Sequence, residues 1–146
     1  MRTTDHSNLP LRILFTKMSP FELRAHERTD KGRVERLTQQ IIHEGVQCPL
    51  LVDAESGTVL DGHHRLAAAK GIGLPRLPVV KVDYLAADAI TLDSWDGRRS
   101  LHKSDVLLAS LSGALLPPRT TKHLIFGRPA RRYAVGSVAK TSPVLR

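Results

Sequence analysis

Thr58-Val59-Leu60-Asp61-Gly62-His63-His64-Arg65-Leu66-Ala67-Ala68-Ala69-Lys70 reads as a short apolar strand, an abrupt polar turn and a helix. The turn holds a carboxylate, a glycine, two imidazoles and a guanidinium in five consecutive residues. A helix start exposes unpaired N–H groups and the positive end of the helix dipole, and phosphates settle there. Gly62 lets backbone approach a ligand with no Cβ in the way. Arg65 offers a planar fork for phosphate oxygens, and His63 and His64 add further donors. Asp61 supplies the hard oxygen that a magnesium ion favours. A purely structural alternative stays open: Asp61 as the helix N-cap and Arg65 as the partner of a carboxylate elsewhere. Two adjacent histidines lack the i, i+4 spacing of helical zinc ligands, and no Gly-Lys-Ser/Thr follows to make a Walker loop.

Outward from this stretch, strands and helices are mixed. Upstream, Pro49-Leu50-Leu51-Val52-Asp53 reads as a strand, and Glu55-Ser56-Gly57 as the turn of a hairpin with Thr58-Val59-Leu60. Before it, Asp30 to Glu44 predicts an amphipathic helix, with Val34, Leu37 and Ile41 at i, i+3, i+7 and Ile42 beside them. Thr29 or Asp30 can cap its start and Gly45 its end. Leu11 to Phe15 predicts a strand, and the polar Phe21 to Glu27 a loop. Downstream, Gly71, Gly73 and Pro75 stop the central helix, and Leu77 to Tyr84 predicts the last clear strand. Residues 85 to 100 are mixed and hold the single tryptophan, Trp95. Ser104 to Leu116 predicts a helix ending near Gly113. Pro117-Pro118 imposes an extended segment that presents Arg119 to His123, and Leu124-Ile125-Phe126 adds a short strand. The expected class is α+β, with a small mixed sheet flanked by helices, and not a doubly wound parallel sheet.

The chain of 146 residues suits one domain. Its net charge of +8 is concentrated at the C-terminal end, where no acidic residue follows Arg119. The expected organisation is a catalytic domain over 1–126 and a basic, flexible tail over 127–146. Such a tail would admit nucleic acid as a partner, although the near-neutral body does not favour it. No apolar run is long enough to span a bilayer, and the first residues lack a signal peptide's apolar segment, so a cytoplasmic location with no membrane partner is expected. The single cysteine, Cys48, excludes an intramolecular disulfide and fits a small buried hydrophobe.

Val59-Leu60-Asp61-Gly62-His63-His64-Arg65, the Ala-rich helix, the Leu-Pro break and Pro78-Val79-Val80-Lys81-Val82-Asp83-Tyr84 together resemble the ParB/sulfiredoxin superfamily. Within it the sequence is most similar to the free L-serine kinases. Further landmarks agree in order. Arg24-Ala25-His26-Glu27 resembles the family's early His-Glu, Trp95 stands where its substrate-pocket tryptophan does, and Pro118-Arg119-Thr120-Thr121-Lys122-His123 resembles its late Pro-Lys-Thr-Thr-Arg-His. Two departures are a short segment between Trp95 and Thr120, where larger members carry a subdomain, and Lys122 in place of an arginine.

The resemblance implies a compact ParB/sulfiredoxin-like fold. It implies transfer of a terminal phosphoryl group from an adenine nucleotide, ADP or ATP, with Mg2+, to the hydroxyl of L-serine, giving O-phospho-L-serine. Glu27 would be the catalytic base, and Asp61 would hold or orient magnesium or tune that base. Gly62, His63, His64 and Arg65 would bind nucleotide phosphates. Thr120, Thr121, Lys122 and His123 would hold the moving phosphoryl group or the serine carboxylate, and Trp95 would wall the substrate. The rival readings are a ParB-like DNA-binding module, for which Gly62-x-x-Arg65-x-x-Ala68 fits a phosphate motif, and a nucleotide sensor without turnover. A sulfiredoxin-like reductase would need a cysteine where His63 stands.

Overall fold

The computed structural model describes residues 13–94, 101–126 and 128–129. Strand β1 (Ile13–Met18) leads through a short 3-10 turn to helix α1 (Lys31–Glu44). Then come β2 (Leu50–Asp53), β3 (Val59–Asp61), helix α2 (His63–Gly71) and β4 (Leu77–Val82). Last are β5 (Ile90–Ser94), α3 (Lys103–Ser112), β6 (Thr121–Ile125) and β7 (Arg128–Pro129). The four-stranded sheet has the order β1-β4-β2-β3. β2 and β3 form the expected antiparallel hairpin, while β4 lies parallel to β2 and antiparallel to β1. The sheet is therefore mixed, as the sequence pattern predicts.

β4 shows how the sheet is built. Leu77 and Val79 point to one face, and Val80 and Val82 to the other; all four are buried. A strand covered on both faces reads as a continuous apolar run. One face joins Leu50, Val52 and Val59 to Leu66 and Ala69 of α2. The other joins Leu51 and Leu60 to Ile90, Val106 and Ile125. That second layer is a three-stranded sheet, β5-β6-β7, together with α3. The small mixed sheet expected from the sequence is present, and this second, antiparallel sheet adds to it. β5 was unreadable because only Ile90 and Ser94 of its five residues are buried, leaving almost no apolar stripe. Past residue 126 the chain continues the second sheet, with Arg128–Pro129 paired to β6, and residues 130–146 lie outside the described ones.

α1 begins and ends as its sequence predicts. The Asp30 carboxylate accepts from the Arg33 N–H at 3.3 Å, and Gly45 closes the helix with φ of 76°. Its apolar face is less buried than its pattern implies: only Ile41 is buried, and Ile42 is exposed. The reason is that α1 packs on α2 while Arg33 and Leu37, one turn apart, border an open cleft. Among the described residues no helix is long and apolar enough to cross a membrane.

Candidate active site

Gly62 is the hinge between β3 and α2. Its φ of 116° lies in the left-handed region, and a Cβ there would sit 2.7 Å from Leu50 Cγ and 3.1 Å from Arg65 Nη2. Only glycine turns the chain this way in this space. Gly62, and not Asp61, is the N-cap of α2, and no side chain caps the helix. The first turn of α2 thus lacks a side-chain cap, and Gly62, His63, His64 and Arg65 line the cleft. The β2–β3 ladder shifts register between Leu51 and Val52, a bulge of the kind that re-aims a strand end.

The loop over residues 24–28 behaves as an extra edge strand. Val59 N–H donates to the Arg24 carbonyl at 2.8 Å, and Arg28 N–H to the Leu116 carbonyl at 2.8 Å. Leu116 N–H donates in turn to the His26 carbonyl. Clamped between β3 and the segment after α3, this polar stretch buries His26 and Glu27. The two histidines of the turn hold the same loop. His26 N–H donates to His63 Nε2 at 3.1 Å, and Asp30 N–H donates to His64 Nε2 at 3.0 Å. Each ring thus spends its lone pair on loop backbone and keeps its N–H at Nδ1.

Glu27 is buried and anchored from the late segment. Thr120 N–H donates to Oε1 at 3.1 Å, and Thr121 Oγ1 donates to Oε2 at 2.7 Å. Burial pushes its carboxyl above the usual range, and the hydrogen bonds from Thr121 and Thr120 pull part of the way back. Burial holds His26 neutral, with its pKa lowered to about 4, and drives His63 well down, the nearby His26 and His123 adding to this. His123, in β6, is also fully buried and lowered to about 3, by burial first and then by His26 and Lys103. Its Nε2 pairs with the Tyr84 hydroxyl at 2.8 Å. Its Nδ1 has no well-formed partner, the Leu60 backbone giving it only a weak one.

These side chains meet at a cleft of about 280 Å³. It is lined by Glu27, Asp61, Gly62, His63, His64, Arg65, Thr121, Lys122 and His123, so the turn, the early glutamate and the late segment converge as expected from the sequence. Thr120 reaches it only through its backbone bond to Glu27. Arg65 borders the cleft, but Nη1 donates to the Cys48 and Pro49 carbonyls at 2.6 and 2.9 Å, and Nη2 lies 3.4 Å from Asp61 Oδ2. It props the Cys48–Pro49 corner and Asp61 at least as much as it faces the opening. Trp95 lies outside the described residues. Four cleft residues went unassigned in the sequence: Arg33, Leu37, Leu60 and Arg119. Arg119 sat in the recognised late segment, and Arg33 lies one helical turn before Leu37, so a signal existed for both. Burial first, then Arg33, lowers His64, with Arg119 also contributing. The cleft sets the cations Arg33, Arg65, Arg119 and Lys122 against the carboxylates Glu27 and Asp61. That excess suits a polyanion.

No family model matches the chain. The sequence is 32% identical over 79 residues to a ParB-like protein of Sulfolobus acidocaldarius, across 54% of this chain and 39% of that protein. It is 35% identical over 79 residues to an ATP-dependent L-serine kinase of Staphylothermus marinus, across 51% of this chain and 31% of that one. The chain thus matches between about three and four tenths of the length of these relatives. Among solved structures it is similar to a mutant free serine kinase in complex with ADP, with a TM-score of 0.71 at 14% identity, covering 84% of this chain and 92% of that one. The fold is an α+β fold similar to that of these free serine kinase structures. The resemblance read from the sequence is borne out, in named sequence relatives and in fold.

Proposed function

We propose that this chain is a free L-serine kinase that moves the terminal phosphoryl group of ADP or ATP to the serine hydroxyl, giving O-phospho-L-serine and AMP or ADP. The observation that carries the reading is Glu27. It is a buried carboxyl with a raised pKa, held by Thr120 and Thr121 at the wall of a cationic cleft into which a helix start opens. A base is most useful when its pKa approaches the working pH, and burial moves Glu27 in that direction. The names of the relatives and the adenine nucleotides in the solved structures of similar fold point to the same chemistry.

In this reading the nucleotide phosphates lie against the uncapped first turn of α2, with Arg33, Arg119 and Lys122 neutralising charge. Phosphoryl transfer needs positioning and charge compensation more than covalent help. Glu27 accepts the hydroxyl proton as the serine oxygen attacks in line. His63 and His64 hold the loop that carries Glu27, and their Nδ1 hydrogens remain as donors. Asp61, at the end of β3 with its side chain 35% exposed, would hold Mg2+, which commonly takes one or two carboxylates along with phosphate oxygens and water. The bound ion would neutralise phosphate charge. The rival reading as a DNA-binding module has less support, because two of the sequence relatives are named L-serine kinases and the solved structures of similar fold include free serine kinases.

The test is purified protein with Mg2+, L-serine and either ADP or ATP, scored for phosphoserine. Glu27→Ala is expected to abolish transfer while nucleotide affinity stays within about twofold, since the residue acts on the hydroxyl and not on the nucleotide. Phosphoserine formation at the normal rate by that variant would sink the assignment of the base.

A further inference from the structure

Three side chains form a continuous line below the cleft. His26 Nε2 lies 2.8 Å from Thr121 Oγ1, which lies 2.7 Å from Glu27 Oε2. His26 Nε2 and Glu27 Oε2 are 3.7 Å apart, so the hydroxyl is the bridge between them. The other ring nitrogen, Nδ1, faces the Val59 carbonyl at 2.8 Å. A carbonyl only accepts, so Nδ1 carries the ring hydrogen, and neutral His26 presents a bare lone pair at Nε2.

The donor count then has a consequence. With Glu27 ionised, Thr121 has one hydroxyl hydrogen for two facing acceptors, the carboxylate and the imidazole nitrogen. With Glu27 protonated, every group is served. Glu27 donates to Thr121 Oγ1, Thr121 donates to His26 Nε2, and His26 donates to the Val59 carbonyl.

We propose that His26 and Thr121 are positioning residues that set the proton affinity of Glu27, the Thr121 hydrogen turning from Glu27 to His26 Nε2 as Glu27 takes up a proton. The inference rests on the reading of Glu27 as the base. In the transfer step the serine O–H bond breaks and an O–H bond forms on Glu27. Thr121 keeps its own hydrogen and only rotates, and His26 stays neutral.

The surroundings favour a neutral relay. The His63 ring lies edge-on to His26 at 4.3 Å and the His123 ring at 6.0 Å, and both are buried. Asp61, His64, Arg119 and Lys122 line the cleft above. A metal ion is the competing use of the same cluster, since ligand atoms of His26, Glu27 and His63 lie within 4.8 Å of one another. However, the His63 Nε2 lone pair already accepts from His26 N–H and His26 Nε2 already meets Thr121, so an ion would have to displace both.

The experiment reads the histidine ring nitrogens by NMR in isotope-labelled protein without substrate, over about pH 5 to 8 where an imidazole and a raised carboxyl both report. His26 should remain the neutral Nδ1–H tautomer, while its Nε2 resonance moves in one step as Glu27 titrates. Glu27→Gln, whose amide stands in for the protonated acid, should abolish the step, and so should Thr121→Val. An Nε2–H tautomer, or a step that survives Glu27→Gln, overturns the proposal. In the kinase assay Thr121→Ser should stay within about threefold of wild type. Thr121→Val should lose about tenfold or more in kcat with KM for the nucleotide unchanged, the scale of one charge-assisted hydrogen bond. Wild-type kcat in Thr121→Val also overturns it. If the wild type makes no phosphoserine, the kinase reading fails, while the resonance step still decides the switch.

Discussion

At the scale of single residues the cleft is held by groups that cannot be exchanged for near relatives. Gly62 is the sharpest case. Its backbone is left-handed, and the space a side chain would need is filled by Leu50 and the Arg65 guanidinium. Gly62→Ala should cost about 1–3 kcal/mol for the strained backbone, with the contact to Leu50 adding to it. Urea unfolding measures this, and a change below about 0.5 kcal/mol would contradict the geometry. Arg65 shows the other side of the residue scale. Its fork suits phosphate, yet two carbonyls and Asp61 occupy most of its donors. Residue type alone left both readings open, and only the position of the Cys48–Pro49 corner shows where the fork is spent.

Among the elements, the two helix starts and the loop between β1 and α1 form one assembly. Asp30 caps α1 through its side chain and donates its own N–H to His64 Nε2 on α2. Replacing the N-cap aspartate by alanine removes the acceptor of the Arg33 N–H, so Asp30→Ala should lower stability by about 1 kcal/mol. Thermal or denaturant unfolding with unchanged far-ultraviolet dichroism of the folded state checks this. The helices α1 and α2 and the strands β2, β3 and β4 were legible because their patterns and stops are local. β5 was not, because its register depends on β6, far along the chain. The stretch Arg24–Arg28 looked like a loop for a related reason. Its hydrogen bonds run to Gly57, Val59 and Leu116, and nothing in its own sequence announces those partners.

For the whole molecule, the packing of two sheets and α2 buries His26 and His123 as neutral rings. Both have folded-state pKa values below the unfolded value of 6.5, at about 4 and about 3. A depressed pKa gives stability that is fully present above the unfolded value and is lost as pH falls toward the folded one. Stability should therefore decline from about pH 6.5 toward pH 4, His26 alone contributing roughly 3 kcal/mol of that loss. Glu27 acts in the opposite sense, because its raised pKa favours the folded state at lower pH, and it offsets part of the decline. Urea midpoints at pH 7 and pH 5 test the balance, and equal midpoints would show that the rings are not held neutral.

The sequence by itself determined the strand–turn–helix around Gly62, the capped α1, the mixed α+β class and part of the cleft lining, from Glu27, the central turn and the late segment. These follow from glycine stops, apolar periodicity and landmarks in order, all of which act over a few residues. Tertiary structure alone decided the second sheet, the burial of His26 with Glu27 and the direction of every hydrogen bond in the site. Thr121 is 94 residues from Glu27 and His63 is 37 from His26, and contacts at such separation depend on the packed layers that bring them together. The central turn was recognised as chemistry from its residue types. That its histidines grip the loop bearing Glu27, and that a threonine hydroxyl links Glu27 to a third histidine, is set by the fold.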